Sequence, residues 1–162
     1  MRVYFDNVIA SGRVLSDLVP ESEMEAVRVI EAAHRAGLIK RVTSQESGRE
    51  QERTPDPLKR AKLAAAANEL STVATDYAAL AAMLRRESTD VEGTLFNELR
   101  RIGLKAGDAR HLVNAASSAC VRFITLDPDF LHRRSELELL CGELRIMKPS
   151  ELAKDLTHVF GS

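Results

Sequence analysis

Two aspartates directly follow the clearest strand-like runs of the sequence, and the carboxylates of both can ligate a metal ion. Asp6 comes after the run at 3–5, and Asp127 comes after the run "VRFITL" at 121–126. Such apolar runs are typical of the buried strands of a parallel sheet, whose carboxyl ends form the ligand crevice of open α/β folds. We therefore expect the two carboxylates to meet at one edge of a sheet.

Further acids are placed to join them. Asp108 begins a predicted helix that leads into the second of these runs, while Glu46 and Glu50 follow a third predicted strand in the polar segment "SQESGREQE". Crowded carboxylates repel one another, and a divalent cation supplies the compensating charge. Oxygen ligands without a cysteine or histidine pair favour Mg²⁺ or Mn²⁺, which can activate water and neutralise charge on a phosphodiester.

Each of these acids also has an ordinary structural interpretation. Asp6 and Asp127 could form turns after their strands, and Asp108 could cap its helix. Glu46 and Glu50 would share a helical face at i, i+4, but each alone is more typical of a solvated side chain. The prediction of a site depends on the joint arrangement of the acids.

The alternation of predicted strands and helices indicates an α/β fold with a parallel sheet. We expect strands at 2–9, 38–43 and 121–125, and a last strand in "LRIMK". Helices are expected from Pro20–Glu21 to Gly37, at 91–102, 108–119 and 128–133, and from near Ser150. A long alanine-rich helix at 58–86 has an a/d stripe suited to packing on the domain, to a helical arm or to a dimer seam. Without repeats or low-complexity linkers, 1–162 is predicted to be a single domain.

Composition narrows the class of protein. The 162 residues are 44% hydrophobic and 29% charged with a formal net charge of −1, which indicates a globular domain and excludes a strongly basic nucleic-acid binder. Cys120 and Cys141 stand among apolar residues without the spacing of a zinc site, which predicts buried free thiols in a reducing cytosol. No membrane-spanning run or secretion signal is recognisable, so a cytoplasmic location is expected.

Taken in order, these residues resemble the PIN-domain family of metal-dependent ribonucleases. "VYFDNVI" is similar to the opening motif of that family, and "TSQESGREQE" resembles a segment in which a serine or threonine precedes a glutamate by six positions, here Ser44 and Glu50. The strongest match is "GDARHLVNAASSACVRFITLDPDF", which contains Asp108, His111, Thr125, Asp127, Asp129 and Phe130 in the family's order. "LRIMKPSEL" is similar to its last strand and helix.

The resemblance implies a PIN-like three-layer fold, with a central parallel sheet flanked by helices. It also implies an endoribonuclease that hydrolyses RNA phosphodiesters with Mg²⁺ or Mn²⁺ held by Asp6, Glu50, Asp108 and Asp127. Many members are the toxins of bacterial toxin–antitoxin pairs, which dimerise and are silenced by an antitoxin. RNA, an antitoxin protein and a second copy of the chain are therefore the expected partners.

Some features depart from the family pattern and leave alternatives open. Asn7 stands where members commonly have threonine or serine, and Glu46 and Glu52 are near alternatives to Glu50. A PIN-like module that binds RNA or protein without turnover is the second hypothesis. "ITLDPDF" also resembles the nucleophile motif of haloacid dehalogenase phosphatases, but too little chain follows it to complete such a site.

Three side chains near the predicted acids need separate roles. His111 is expected to pack or to form a hydrogen bond rather than to act in catalysis. Arg49 and Arg110 lie beside predicted acids and could contact phosphates, although a solvated surface position is the more ordinary interpretation.

Overall fold

Four short strands form one parallel sheet in the part of the chain that the structure describes. The structure is a computed structural model and describes residues 1–6, 9, 19–44, 52–53, 55–62 and 89–160. The strands lie in the order β2-β1-β3-β4, and every neighbouring pair is parallel. Their bounds are β1 Arg2–Phe5, β2 Lys40–Val42, β3 Arg122–Ile124 and β4 Arg145–Met147.

Helices separate the strands along the chain, as the alternation in the sequence predicts. Residues 57–62 are helical, and the Asp56 carboxylate caps this segment by accepting the N–H groups of Leu58 and Lys59. None of the described helices is long and apolar enough to cross a bilayer. Besides the segment at 57–62, the described helices are α1 Glu21–Arg35, α2 Thr89–Arg101, α3 Ala106–Ser117, α4 Pro128–His132, α5 Arg134–Cys141 and α6 Pro149–Phe160.

The helices cover the two faces of the sheet, so the α/β prediction with a parallel sheet flanked by helices is confirmed. Side chains alternate along each strand: Tyr4 contributes to one core cluster, whereas Val3 and Phe5 contribute to the other. The Tyr4 cluster includes residues of α2, α3, α4 and α5, and the Phe5 cluster includes residues of α1 and α6. Strand β1 is therefore buried on both faces, as its apolar residues predict.

Two predicted strands are too long. The strand predicted at 2–9 ends at Phe5, and Ile9 is already helical, with its N–H donating to the Asp6 carbonyl at 3.1 Å. The strand predicted at 38–43 begins at Lys40, because Leu38 still belongs to the end of α1. Gly37 has a φ of +75°, and the Leu38 N–H donates to the Ala33 carbonyl, which completes a Schellman cap.

Other helix predictions have mixed outcomes. Helix α5 was not expected, because its buried positions are limited to Leu137 and Cys141, while Leu139 between them is 86% exposed. The long helix predicted at 58–86 is described only at its start, where residues 57–62 are helical. The rest of this predicted helix, with its a/d stripe, lies outside the described residues.

Both cysteines are buried free thiols, as the sequence predicts. Burial raises the pKa of Cys120 from 9.0 to about 12, against a smaller lowering effect of Arg2. Burial also raises the pKa of Cys141 from 9.0 to about 11. Thiols held neutral in this way are poor nucleophiles and poor metal ligands, so their role is packing.

Helices α1 and α6 pack side by side on one face of the sheet, and a carboxylate ties their N-terminal ends together. Glu23 in the first turn of α1 accepts the Ser150 N–H at 2.9 Å and the Ser150 hydroxyl at 2.8 Å. The N-terminus of a helix has unpaired N–H groups and a partial positive charge. Glu23 therefore caps α6 from a neighbouring element.

Strand β4 forms one edge of the described sheet, and carboxylates accept its outward N–H groups. Glu138 of α5 accepts the Ile146 N–H at 2.7 Å, and Glu151 accepts the Lys148 N–H at 2.8 Å. Burial tends to raise the pKa of Glu151, but the bond from Lys148 and the nearby Arg134 guanidinium together lower it. Glu151 thus remains an ionised acceptor at neutral pH.

Candidate functional site

The strand order places a crevice between the carboxyl ends of β1 and β3. The chain passes from β1 to β2 on one side and later returns to β3 on the other side of β1. In open parallel sheets, ligands bind where the strand order reverses in this way. The first residues beyond these two strands are Asp6 and Thr125, and they continue the register that pairs Phe5 with Ile124.

Asp6 is held rigidly at this edge of the sheet. Its side chain is only 4% exposed, and its Oδ2 accepts a hydrogen bond from the Thr125 hydroxyl at 2.6 Å. Its backbone N–H donates to the Ile124 carbonyl at 3.0 Å and so extends the pairing of β1 with β3. A hydroxyl that donates at this short distance gives the buried Asp6 carboxyl group a defined orientation.

Asp127 reaches the same crevice through Thr125. The Asp127 backbone N–H donates to the Thr125 Oγ1 at 3.0 Å, which leaves the hydroxyl hydrogen directed at Asp6. The half-buried Asp127 side chain also caps α4, because its Oδ1 accepts the Asp129 N–H at 2.8 Å. The structural alternative for Asp127 is a turn before Pro128, and the structure instead makes its side chain the N-cap of α4, while its backbone belongs to the chain of bonds that ends at Asp6.

Asp108 lies in the first turn of α3 and is half-buried. The N-cap of this helix is Lys105, so Asp108 does not have the N-cap role that its sequence position suggests. The far end of α3 lies at the amino edge of the sheet, where the Ser118 carbonyl accepts a bond from the Arg2 side chain at 3.2 Å. Because α3 runs across the sheet, its first turn faces the carboxyl edge, on the side of Asp6.

Most predicted residues of the polar segment lie outside the described residues. These are Glu46, Arg49 and Glu50, and the same holds for Asn7. Glu52 is described and is exposed to solvent. The glutamate of the site therefore stays a prediction from the sequence.

The donors at the crevice are carboxylate and hydroxyl oxygens. Among the described residues, no group of three histidine, cysteine, aspartate or glutamate side chains is close enough to hold a metal ion. Asp6 and Asp127 are nevertheless joined through Thr125, and their oxygens are the donor type that Mg²⁺ and Mn²⁺ prefer. The donor type of the described residues suits such an ion, but these residues alone do not form its ligand set.

A buried hydrogen-bonded chain beside Asp6 was not predicted. The Tyr4 hydroxyl lies 2.6 Å from the Ser44 Oγ and 2.7 Å from the His111 Nδ1. The hydrogen-bonding role expected for His111 is thus confirmed, with Tyr4 as the partner. The sequence signal was available, because Tyr4 and Asp6 are two positions apart and must point to the same face of β1.

Two basic side chains lie near the predicted acids. Lys105 approaches the Asp129 carboxylate at 3.5 Å, with both side chains mostly exposed, so their attraction is weak. Arg110 is exposed, and its guanidinium lies 6.0 Å from the centre of the Phe96 ring. This surface position agrees with the more ordinary interpretation of Arg110.

No protein-family model, no curated protein and no solved structure matches this chain. The chemistry of the crevice follows from its own residues. An oriented, buried carboxylate can ligate a hard cation or accept a proton from a water molecule.

Proposed function

We propose that the protein is a divalent-metal-dependent endoribonuclease of the PIN type. In this proposal Asp6, Glu50, Asp108 and Asp127 hold Mg²⁺ or Mn²⁺ at the carboxyl edge of the sheet. The observation that carries the proposal is the short bond of the buried Asp6 carboxylate to Thr125, which itself accepts the Asp127 N–H. This arrangement lies where the strand order reverses.

Burial supports a cation as the ligand of the crevice. A carboxylate with 4% exposure has lost most of its hydration, and a bound cation would compensate for that loss in its ionised form. A second acid at the adjacent strand end would make the compensation more necessary. A bound divalent ion would supply activation of water and neutralisation of the charge that develops on a phosphodiester.

The residues of the chain would orient the ligands of that ion. The Asp127 N–H directs the Thr125 hydroxyl, and the hydroxyl fixes one oxygen of Asp6. The first turn of α3 would bring Asp108 to the same edge. RNA as the substrate is proposed from the resemblance in sequence, and Lys105 near Asp129 offers one cation for a phosphate at the rim.

The proposed partners follow from the same resemblance. They are an antitoxin protein, a second copy of the chain and RNA, in the bacterial cytoplasm. A small antitoxin gene beside this one would support the role of a toxin. The product of that gene should then bind the protein and inhibit RNA cleavage.

A PIN-like binding module without turnover is the second candidate. The observation that favours it is the use of the Asp127 Oδ1 as the N-cap of α4, which occupies an oxygen needed for a metal. A module of this kind need not bind Mn²⁺. Metal affinity therefore separates the two functions.

The test of the proposed function is RNA cleavage by the purified protein in Mn²⁺, in Mg²⁺ and in EDTA. We expect cleavage with either ion and none in EDTA. Asp6→Asn should reduce the rate by at least roughly a hundredfold, since a lost ligand costs more than a lost outer-shell contact. Asp155→Asn is the matched control, because Asp155 is an exposed acid on α6.

Cleavage that persists in EDTA and in the Asp6→Asn variant would contradict the metal-dependent function. If no RNA is cut and Mn²⁺ does not raise the melting temperature, the binding module is the better description. Equal losses in Asp6→Asn and Asp155→Asn would point to a general effect of charge and contradict the site.

A further inference from the structure

We infer that the Tyr4 hydroxyl is a positioning group for the proposed metal site. It ties the end of β2 and the first half of α3 to β1, the strand that leads into Asp6. The inference rests on the proposed function and adds residues that do not themselves touch the ion. Tyr4, Ser44 and His111 form the chain, which we call the hydroxyl chain.

The geometry of the hydroxyl chain is tight and enclosed. The Tyr4 oxygen lies 2.6 Å from Ser44 and 2.7 Å from His111, and Tyr4 and His111 are 0% and 1% exposed. One hydroxyl hydrogen cannot serve both neighbours, so Tyr4 donates to one of them and accepts from the other. The chain therefore has a direction, which runs from one neighbour of Tyr4 through its hydroxyl to the other.

The positions of these residues explain why the chain would set the spacing of carboxylates. Tyr4 is two residues before Asp6 on the same face of β1, and His111 is one helical turn after Asp108 in α3. A bond between Tyr4 and His111 therefore fixes the rotation and the height of α3 against β1. It fixes Asp108 relative to Asp6 by the same means.

Ser44 extends this control to a third element. It lies two residues beyond β2 and is half-buried, so its bond to Tyr4 holds the chain just after β2 against the centre of the sheet. Strand β2 is the neighbour of β1 on the side away from β3. One hydroxyl thus connects β1 to the chain just after β2 and to α3.

Packing alone does not require a tyrosine at this position. The Tyr4 ring stacks on Phe123 with centroids 5.2 Å apart, and Phe130 packs against Phe123 in the same cluster. A phenylalanine would fill this aromatic space without placing a hydroxyl where it is 0% exposed. A buried polar group is tolerated when its bonds specify one arrangement, and here the arrangement contains the proposed ligands.

The test is calorimetric titration of the full chain with Mn²⁺, using Tyr4→Phe, which removes only the hydroxyl. We expect the dissociation constant for Mn²⁺ to rise about tenfold, the lower end for groups that orient metal ligands. Ser44→Ala should also raise the dissociation constant for Mn²⁺. Ser44→Thr should keep it close to that of the wild type, because threonine keeps the hydroxyl. In the double variant of Tyr4→Phe with Ser44→Ala, the two effects should be less than additive, since both break one chain.

Leu156→Ala is the control for lost stability. Leu156 is 4% exposed on α6 and packs on the opposite face of the sheet, so its truncation should lower the melting temperature without changing Mn²⁺ affinity. Wild-type protein that binds Mn²⁺, together with unchanged affinity in Tyr4→Phe and Ser44→Ala, would overturn the positioning role alone. Wild-type protein that does not bind Mn²⁺ would overturn the proposed function and this inference with it.

Discussion

At the scale of single residues, the orientation of the acidic site depends on hydroxyl groups as much as on acids. The Thr125 hydroxyl is the described group that both receives the Asp127 N–H and donates to Asp6, and its side chain is fully buried. The Tyr4 hydroxyl likewise has two hydrogen-bond partners, Ser44 and His111. A carboxylate can ligate an ion from many directions, so fixed donors are what select one of them.

We predict that Thr125→Val destabilises the protein by about 2 kcal/mol, because a hydrogen bond to a charged group is lost while Asp6 stays buried. The free energy of unfolding from urea denaturation measures the change. Valine matches the shape of threonine, so packing is nearly preserved. Thr125→Ser keeps the hydroxyl and loses a methyl group, and a loss as large as that of Thr125→Val would show that packing dominates.

At the scale of elements, the sequence predicts the segments whose signals are local. The start of α1 is predictable from Pro20 and the acidic residues that come after it in the sequence, and the end of α1 is predictable from Gly37. The strand ends are less predictable, because the apolar run of the sequence resumes at Val8 and Ile9, whereas β1 ends at Phe5 and Ile9 is helical. The short helix α5 is only eight residues long, so its apolar positions Leu137, Leu140 and Cys141 form too short a helical pattern to predict it.

The candidate site was predictable to the same extent. Placing Asp6 and Asp127 after strands requires only the apolar runs, and the structure has both acids there. The hydroxyl chain joins residues 40 and 107 positions apart, and no periodicity in the sequence reports contacts over such separations. Long-range polar contacts of this kind depend on the packed sheet rather than on any local pattern.

Glu23→Ala should weaken the junction of α1 with α6 by about 1 kcal/mol, because the first turn of α6 loses its capping acceptor. The midpoint of urea unfolding measures the change. Glu25→Ala is the matched control, since Glu25 is an exposed glutamate of the same helix that pairs with Arg28 at 2.6 Å. An exposed pair contributes little, so equal losses in both variants would contradict the capping role of Glu23.

At the scale of the whole molecule, the sheet has interior strands that carry the crevice and edges that do not. β1 and β3 are each paired on both sides, whereas β4 has its outward N–H groups covered by Glu138 and Glu151. An uncovered edge can pair with another chain, and covering it is a common protection. A homodimer, which we propose, would therefore form through a surface other than β4.

We predict that Glu138→Ala promotes self-association at high protein concentration, because it exposes the Ile146 N–H at the sheet edge. Sedimentation velocity over a concentration series measures the oligomers. Glu138→Gln removes the same charge but keeps an acceptor oxygen, so it should stay close to the wild-type distribution. Equal association of the two variants would assign the effect to charge instead of to the exposed strand.

The interior position of β1 and β3 has a consequence for local unfolding. Partial openings of a folded domain begin at frayed ends and edges, and the interior of a sheet opens last. Asp6 and Thr125 are bonded across the two interior strands, and the Asp6 N–H is itself part of that pairing. Fluctuations that release β2 or β4 would therefore leave the bond between Asp6 and Thr125 in place.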